Sequence, residues 1–524
     1  MLPQLIRRRA EECPDRVFIR QVDAGALTYG QLHDSSMRWA ASYCRAGVTP
    51  GDPVLTMLPL NLDFYCSAIA LAWILGVEVP VNIEYRGQLL LHAIRSAQPK
   101  VIVAHAEYVH RFEEIAAEMD YRPLLVIVGA EESIPQTNYP AVTLETFLQD
   151  ANPVQDLTGP QPWDVASIMY TSGTTGPSKG VIMPWGQLYE VATRGVRMSE
   201  FNENDSYYLP SVTYHMAAKG VAYTMALVNG QLVIRHRFSV TNFFGDVERY
   251  GCTCASMFGA SAQLLNASDR KPQDATTPLR HVLMSPLLPD VEGFMSRFGL
   301  EVTTGYGMTE IGPIIVATTG EVSNDNHRSC GRLGPGYEAR LVDEHDCAVP
   351  SGELGELIVR SDEPWTLNLG YVGLPEESMK AWRNGWFHTG DVFRVDADGN
   401  FYFVDRLKDA IRRRGENISS FEVEAIVNSH PDVVESAAVA VPSDLGEDDV
   451  KVVVVRRPGA DIDETGLIEF LIPLMPRFMI PRYVEFVDTL PKTPTDRVQK
   501  ALLRKAGITP RTWDRTSAAA ESPA

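Results

Sequence analysis

The sequence predicts an α/β protein with a large N-terminal domain and a smaller α+β domain towards its C-terminal end. Three observations predict it. Up to about residue 130, short apolar strands alternate with helical stretches, the order of βαβ units and of parallel sheets covered on both faces. After about residue 330 the texture turns to Gly-rich turns and short alternating strands, a smaller antiparallel element. From Lys408 onward a third pattern of strands and helices begins. The 524 residues correspond to about three to four units of 150.

The elements follow in order. Residues 53–58 (PVLTML) read as a strand. Residues 64–77 (FYCSAIALAWILGV) carry no charge until Glu78. They fall short of the roughly 20 residues a membrane helix needs and read as a buried helix. A short run to Val81, a helix over 88–96, a strand over 101–104, a helix over 111–119 and a strand over 124–128 continue the alternation. The stretch 131–162 is rich in Pro, Asn and Asp and reads as a surface connection. Strands are expected within 349–360 (VPSGELGELIVR) and over 399–405 (GNFYFVD). Beyond them come a helix over 421–428, strands over 433–441 and 450–455, and a helix over 466–474. The boundary falls near 406–409, giving domains 1–405 and 406–510 and a flexible tail 511–524. No internal repeat stands out.

Composition excludes several classes. Hydrophobic residues make up 45% and charged residues 22%, the balance of an ordinary globular enzyme. The net charge of −20 gives no basic footprint for nucleic acid or an anionic membrane. A local basic run occurs at 412–414. The N-terminus has no apolar stretch after its basic residues, so no secretory signal is read there and a cytoplasmic protein is expected. Seven cysteines, an odd number with no CxxC pair, are expected to be reduced and mostly buried thiols.

The chemistry concentrates at 170–181, YTSGTTGPSKGV, directly after the apolar strand 165–169. Glycine lets backbone N–H groups approach an anion, Ser and Thr hydroxyls add donors, and Lys179 adds positive charge. This is a phosphate-cradling loop. It is not a Walker A loop, because Lys179 is followed by Gly180 rather than Ser or Thr.

Three more segments follow in order: GYGMTE at 305–310, WFHTGD at 386–391 and DRLKDAIRRRGENISSFEVE at 405–424. Together with the loop they resemble the adenylate-forming superfamily of acyl-CoA ligases, luciferases and peptide-synthetase adenylation domains. The resemblance covers almost the whole chain. NIEYRGQLLLHAI, the segment ending FEVE and KAGITPRTWDR look most like the subgroup around crotonobetaine/carnitine-CoA ligases.

The resemblance implies an N-terminal domain of stacked mixed sheets with helices and a small β element, and a mobile C-terminal domain pivoting at Lys408. It implies that Thr171, Ser172, Gly173, Thr174, Thr175, Gly176 and Lys179 bind ATP. Tyr306 would pack on adenine, Thr309 bond phosphate, Glu310 hold Mg²⁺, Asp391 accept from the ribose hydroxyls, and Arg406 contact ribose or phosphate. A carboxylate is the right hard ligand for Mg²⁺. His215 resembles the histidine at the mouth of the acyl pocket, at a looser spacing. Met257, Phe258 and Gly259 align with the pocket wall, where Met and Phe fit plain core equally well, and Gly305 borders the pocket. Residues 284–287 (MSPL) lack the glycine relatives carry there. Arg413, Arg414 and Gly415 fall where relatives meet CoA, although a run of arginines is also a common solvated face.

One departure concerns adenylation. Relatives have Gly-Lys in the C-terminal motif, where residues 490–500 read LPKTPTDRVQK. Asp496 stands for the Gly and Arg497 for the Lys. Either Arg497 supplies the cation, or Lys500 reaches in, or adenylation is slow.

The implied reaction is ATP-dependent formation of acyl-AMP from a carboxylic acid, then transfer to CoA, with Mg²⁺ as cofactor. The alternatives are transfer to an amine, as in aminocoumarin-type amide synthetases, and a catalytically weak nucleotide or acyl binder. The expected partners are small molecules, without nucleic acid or a membrane span, in a monomer or homodimer.

Overall fold

A computed structural model describes residues 1–517 except 131–135, 153, 155–156, 172–177, 195–197, 273, 407–410, 414–415, 419, 444–446, 493–497 and 499. Of residues 260, 404–406, 412, 416–417, 421 and 501 it describes the backbone alone. The chain divides into two compact units. Met1–Ile83, Ala93–Tyr170 and Gly180–Asp405 form the first. Glu84–His92, Thr171–Lys179 and the chain from Arg406 onward form the second.

The first unit holds two sheets. One has seven strands, in the order Ala141–Thr143, Leu124–Val128, Val101–His105, Pro53–Met57, Val77–Pro80, Val165–Thr171 and Lys179–Pro184. Its first six strands pair parallel. Val101–His105 and Leu124–Val128 are continuous apolar runs because parallel strands are covered on both faces. The helix Leu62–Trp73 belongs to the core. Asn61 caps it by accepting the Phe64 N–H at 2.9 Å.

Residues 131–162 are not simply a connection. They contain the strand Ala141–Thr143 and the helix Leu144–Leu148, whose cap Thr143 accepts from the Thr146 N–H at 3.2 Å. Phe147 buries its ring against Trp39 and Tyr43. Elements of three and five residues are too short to show a period.

The second sheet has thirteen strands. Gln231–Arg235, Ser206–Pro210, Cys254–Phe258, His281–Ser285 and Glu301–Met308 lie side by side and parallel. From Glu301–Met308 the pairing turns antiparallel, through Gly312–Ala317 and Ser329–Leu333 to Phe401–Arg406. Tyr337–Val342, Gly355–Ser361 and Phe387–Val395 form a meander of the same sheet. The antiparallel element is therefore continuous with the large sheet.

The second unit has a four-stranded sheet, Val433–Pro442, Asp448–Arg456, Tyr483–Val487 and Trp513–Asp514. The helices Ser420–Val427 and Glu464–Leu471 contribute Val423, Val427, Leu467 and Leu471 to its core.

Only Cys66, Cys252 and Cys254 of the seven thiols are buried, and Cys44 and Cys347 are exposed. The expectation of mostly buried thiols is corrected accordingly. Among the described residues no helix is long and apolar enough to cross a membrane.

His281, on the strand His281–Ser285, is 1% exposed, and among the described residues neither ring nitrogen has a hydrogen-bond partner, the Glu200 carboxylate standing 3.6 Å from Nε2. Burial, helped by the neighbouring Arg280 cation, pulls its pKa from the ordinary 6.5 down to about 4. The ring is neutral in the fold, while the unfolded chain takes up a proton near 6.5. Its contribution to stability is therefore full above about pH 6.5 and is lost as pH falls through about 4, an effect of order 3 kcal/mol. In denaturant titrations at pH 7 and pH 4.5, His281→Leu should lose clearly less stability than the parent on acidification. Equal losses would remove His281 as the cause.

Candidate active site

In open α/β sheets the ligand crevice lies beyond the carboxyl ends of parallel strands. Here that edge carries most of the first unit's expected residues. Ser206–Pro210 leads to His215, Cys254–Phe258 to Gly259, His281–Ser285 to Pro286, and Glu301–Met308 to Thr309 and Glu310. His215 is half-buried at the start of the helix Met216–Val228, with its ring 4.9 Å from Tyr214. Met257 is buried in a core cluster with Tyr208, Val233 and Met284, whereas Phe258 is 42% exposed. Gly305 has a backbone reason: a Cβ there would lie 2.7 Å from the Ile315 carbonyl of the neighbouring strand.

The turn carrying Glu310 is held from three sides. Gln187 Nε2 donates to the Thr309 carbonyl at 2.9 Å. Asn368 donates to the Glu310 carbonyl through its N–H at 3.0 Å and its Nδ2 at 2.8 Å. Tyr371 donates its hydroxyl to Glu310 Oε1 at 3.1 Å. Glu310 is 5% exposed, and burial together with this carboxylate raises the Tyr371 pKa strongly. A buried, hydrogen-bonded carboxylate with hard oxygen donors fits Mg²⁺. Gln187, Asn368 and Tyr371 were not found by sequence reasoning, because none lies in a motif.

Tyr306 and Asp391 come together although 85 residues separate them. The Tyr306 hydroxyl donates to Asp391 Oδ2 at 2.7 Å. The Tyr306 ring meets Phe393 edge-on at 4.7 Å and lies nearly parallel to Phe403 at 6.4 Å, and Asp391 is 3% exposed. The side chains expected at adenine and at ribose therefore form one fixed pair.

Thr171 ends the strand Val165–Thr171 and Lys179 opens the strand Lys179–Pro184. Ser172, Gly173, Thr174, Thr175 and Gly176 lie outside the described residues, as do Lys408, Arg414, Gly415 and Arg497. Arg406 is described as backbone only, closing the strand Phe401–Arg406. Ser178, also missed, is buried and donates its Oγ to Glu422, whose carboxyl burial pushes up to about 7. His92 Nε2 donates to the Ser178 carbonyl at 2.8 Å.

Arg413 departs from the expected CoA contact. It is 5% exposed. Its Nη1 donates to the Phe478 and Ile480 carbonyls at 3.1 and 2.7 Å, and its Nε lies 2.8 Å from Asp449 Oδ1. The guanidinium is turned inward and engaged within the second unit. Lys500 is engaged too, with its Nζ 2.6 Å from Glu424 Oε1 and donating to Ser420 Oγ at 2.7 Å.

Residues 6–372 match the AMP-binding enzyme family, and residues 422–497 match the AMP-binding enzyme C-terminal domain. The chain belongs to the AMP-binding enzyme family. It is 28% identical over 486 residues to the crotonobetaine/carnitine–CoA ligase of Citrobacter koseri, covering 91% of this chain and 93% of that relative. Among solved structures, an o-succinylbenzoate CoA synthetase from Bacillus subtilis superposes with a TM-score of 0.83 at 21% identity, covering 96% and 98% of the two chains. The amide bond synthetase McbA from Marinactinospora thermotolerans gives 0.83 at 24% identity, covering 95% and 99%. These two likenesses bear on the fold, and the adenylate-forming architecture expected from the motifs is the one observed. This AMP-binding enzyme thus brings its adenine and ribose candidates into direct contact, with the metal candidate Glu310 four residues beyond Tyr306.

Proposed function

We propose that the protein activates a carboxylic acid with ATP and passes the acyl group to CoA. In the first half-reaction a carboxylate oxygen attacks the α-phosphorus, the bond to pyrophosphate breaks, and acyl-AMP forms. In the second, the CoA thiol attacks the acyl carbonyl, AMP leaves, and the thiol loses its proton. The observation that carries the adenylation is the Tyr306–Asp391 pair beside the turn that presents Glu310, within an AMP-binding enzyme. The relative named a CoA ligase, aligned over 91% of the chain, supports the thiol as acceptor.

The proposed roles follow the motifs. Thr171 to Gly176 and Lys179 cradle phosphates, Thr309 bonds phosphate, and Asp391 accepts from the ribose hydroxyls. Arg406 and Arg497 supply cations, and Lys408 is the hinge of a C-terminal domain that runs from 406 through the strand Trp513–Asp514, so those residues belong to its sheet rather than to a tail. Magnesium, held at Glu310, would supply charge compensation on the phosphates. The protein residues act by positioning and by fixed dipoles.

The test is a panel of carboxylic acids assayed for pyrophosphate release, with CoA or with primary amines as acceptor. The expected result is acid-dependent release and a thioester product. An amide with no thioester would move the second half to an amine, and no release with any acid would leave a binder.

A further inference from the structure

Asp391 is set by neighbours that no motif reading singled out. It follows a glycine in the left-handed region, Gly390 with φ +73°, where the pairing of Phe387–Val395 with Gly355–Ser361 shifts register, so its direction depends on how that bulge is held. Glu356, on the adjacent strand Gly355–Ser361, holds it twice. Its Oε1 accepts the Gly390 N–H at 3.0 Å, and its Oε2 accepts from His388 Nδ1 at 3.0 Å. Between them Thr389 donates its Oγ1 to the Leu357 carbonyl at 2.7 Å and accepts the Asp391 N–H at 3.1 Å. A second ring fixes Glu356 and His388. Arg383 donates Nη2 to Glu356 at 3.2 Å and to Asp346 at 2.9 Å. Asp346 lies 3.8 Å from His388 Nε2 and also accepts from Asn384 at 2.6 Å.

Asp346, Glu356 and His388 bring ligand atoms within 4.8 Å of one another, as a metal site would. The guanidinium of Arg383 already engages both carboxylates, so the group reads as an ion-pair network. Burial pushes the Glu356 carboxyl up, but His388, the Gly390 N–H and Arg383 outweigh it and hold the group below its ordinary value. Glu356 therefore stays anionic, and a charged acceptor grips an N–H more firmly than a neutral one.

We propose that Glu356 is a positioning residue for nucleotide recognition, fixing the bulged His388–Gly390 stretch of its strand so that Asp391 meets the two ribose hydroxyls. This rests on the proposed ribose role of Asp391. The outer pair Arg383–Asp346 keeps Glu356 in place.

The experiment is calorimetric binding of AMP and of 2′,3′-dideoxyAMP, which needs no knowledge of the acid. The parent should prefer AMP, and Glu356→Ala should weaken AMP about tenfold while moving dideoxyAMP less than about twofold. Glu356→Gln keeps an acceptor for the Gly390 N–H and should recover much of the loss. Equal weakening of both nucleotides would mean general damage to the pocket and overturn the proposal, as would no weakening of either. If Glu356→Ala fails to fold, Glu356→Gln is judged by the same contrast, with a smaller expected loss for AMP. Asp391→Ala separates the two readings. If it keeps the parent's preference for AMP, the ribose role itself fails. If it abolishes the preference while Glu356→Ala keeps it, only the positioning role fails.

Discussion

Glu310→Gln is expected to lower the rate of acyl-AMP formation by about 10² to 10³, because Mg²⁺ charge compensation supplies several kcal/mol and prefers an anionic oxygen. Glutamine keeps the length of the side chain and can still accept from the Tyr371 hydroxyl that now reaches Oε1 at 3.1 Å. The turn is independently held by Gln187 and Asn368, so the variant should fold and bind AMP as the parent does. A single-turnover assay over a range of Mg²⁺ concentrations checks this. The variant should need more Mg²⁺ for half-maximal rate. Parental rate and parental Mg²⁺ dependence together would remove Glu310 as the metal ligand.

Arg497→Ala should slow acyl-AMP formation by about 10² or more, a loss of order 3 kcal/mol of electrostatic stabilisation. Lys500 is already engaged by Glu424 and Ser420 within its own unit, and pulling it away would leave the Glu424 carboxylate without that partner. A guanidinium keeps its charge near neutral pH and offers several donors, which suits it to a carboxylate and a phosphate together. Thioester formation started from synthetic acyl-AMP should be nearly unchanged in Arg497→Ala. Lys500→Ala should lower thermal stability and leave the adenylation rate within a few-fold. If Lys500→Ala abolishes adenylation and Arg497→Ala does not, the assignment is reversed.

Much of the fold was legible because buried parallel strands are written as uninterrupted apolar runs. The strands read at 101–104 and 124–128 and the helix read at 64–77 are observed at 101–105, 124–128 and 62–73, the helix ending four residues early where the chain turns into the strand Val77–Pro80. The short elements at 141–148 could not be read, since their burial comes from Phe147 meeting Trp39 and Tyr43 about a hundred residues earlier. The site shows the same division. Glu310 and Asp391 stand in motifs, but Gln187, Asn368, Tyr371 and Glu356, which hold them or their neighbours, do not. Glu356 meets His388 and Gly390 only through antiparallel pairing of two strands, and Ser178 meets Glu422 across 244 residues. Arg413 had a usable signal that the basic run hid. In the strand Ile411–Arg413 it shares a face with the fully buried Ile411, and period-two alternation sends both inward.

The make-up of the second unit bears on how the nascent chain matures. Residues Glu84–His92 and Thr171–Lys179 belong to a body whose main part begins at Arg406, and Leu89 packs against its apolar core. Translation delivers that core more than three hundred residues after Glu84–His92, a wait of roughly 15 to 60 s at about 5–20 residues per second. Throughout that interval Glu84–His92, joined later by Thr171–Lys179, is on the ribosome without the surface it will cover. A chain released short of Arg406 would leave both segments permanently without it, so truncation there removes the partners of Leu89 and Ser178 as well as the C-terminal body.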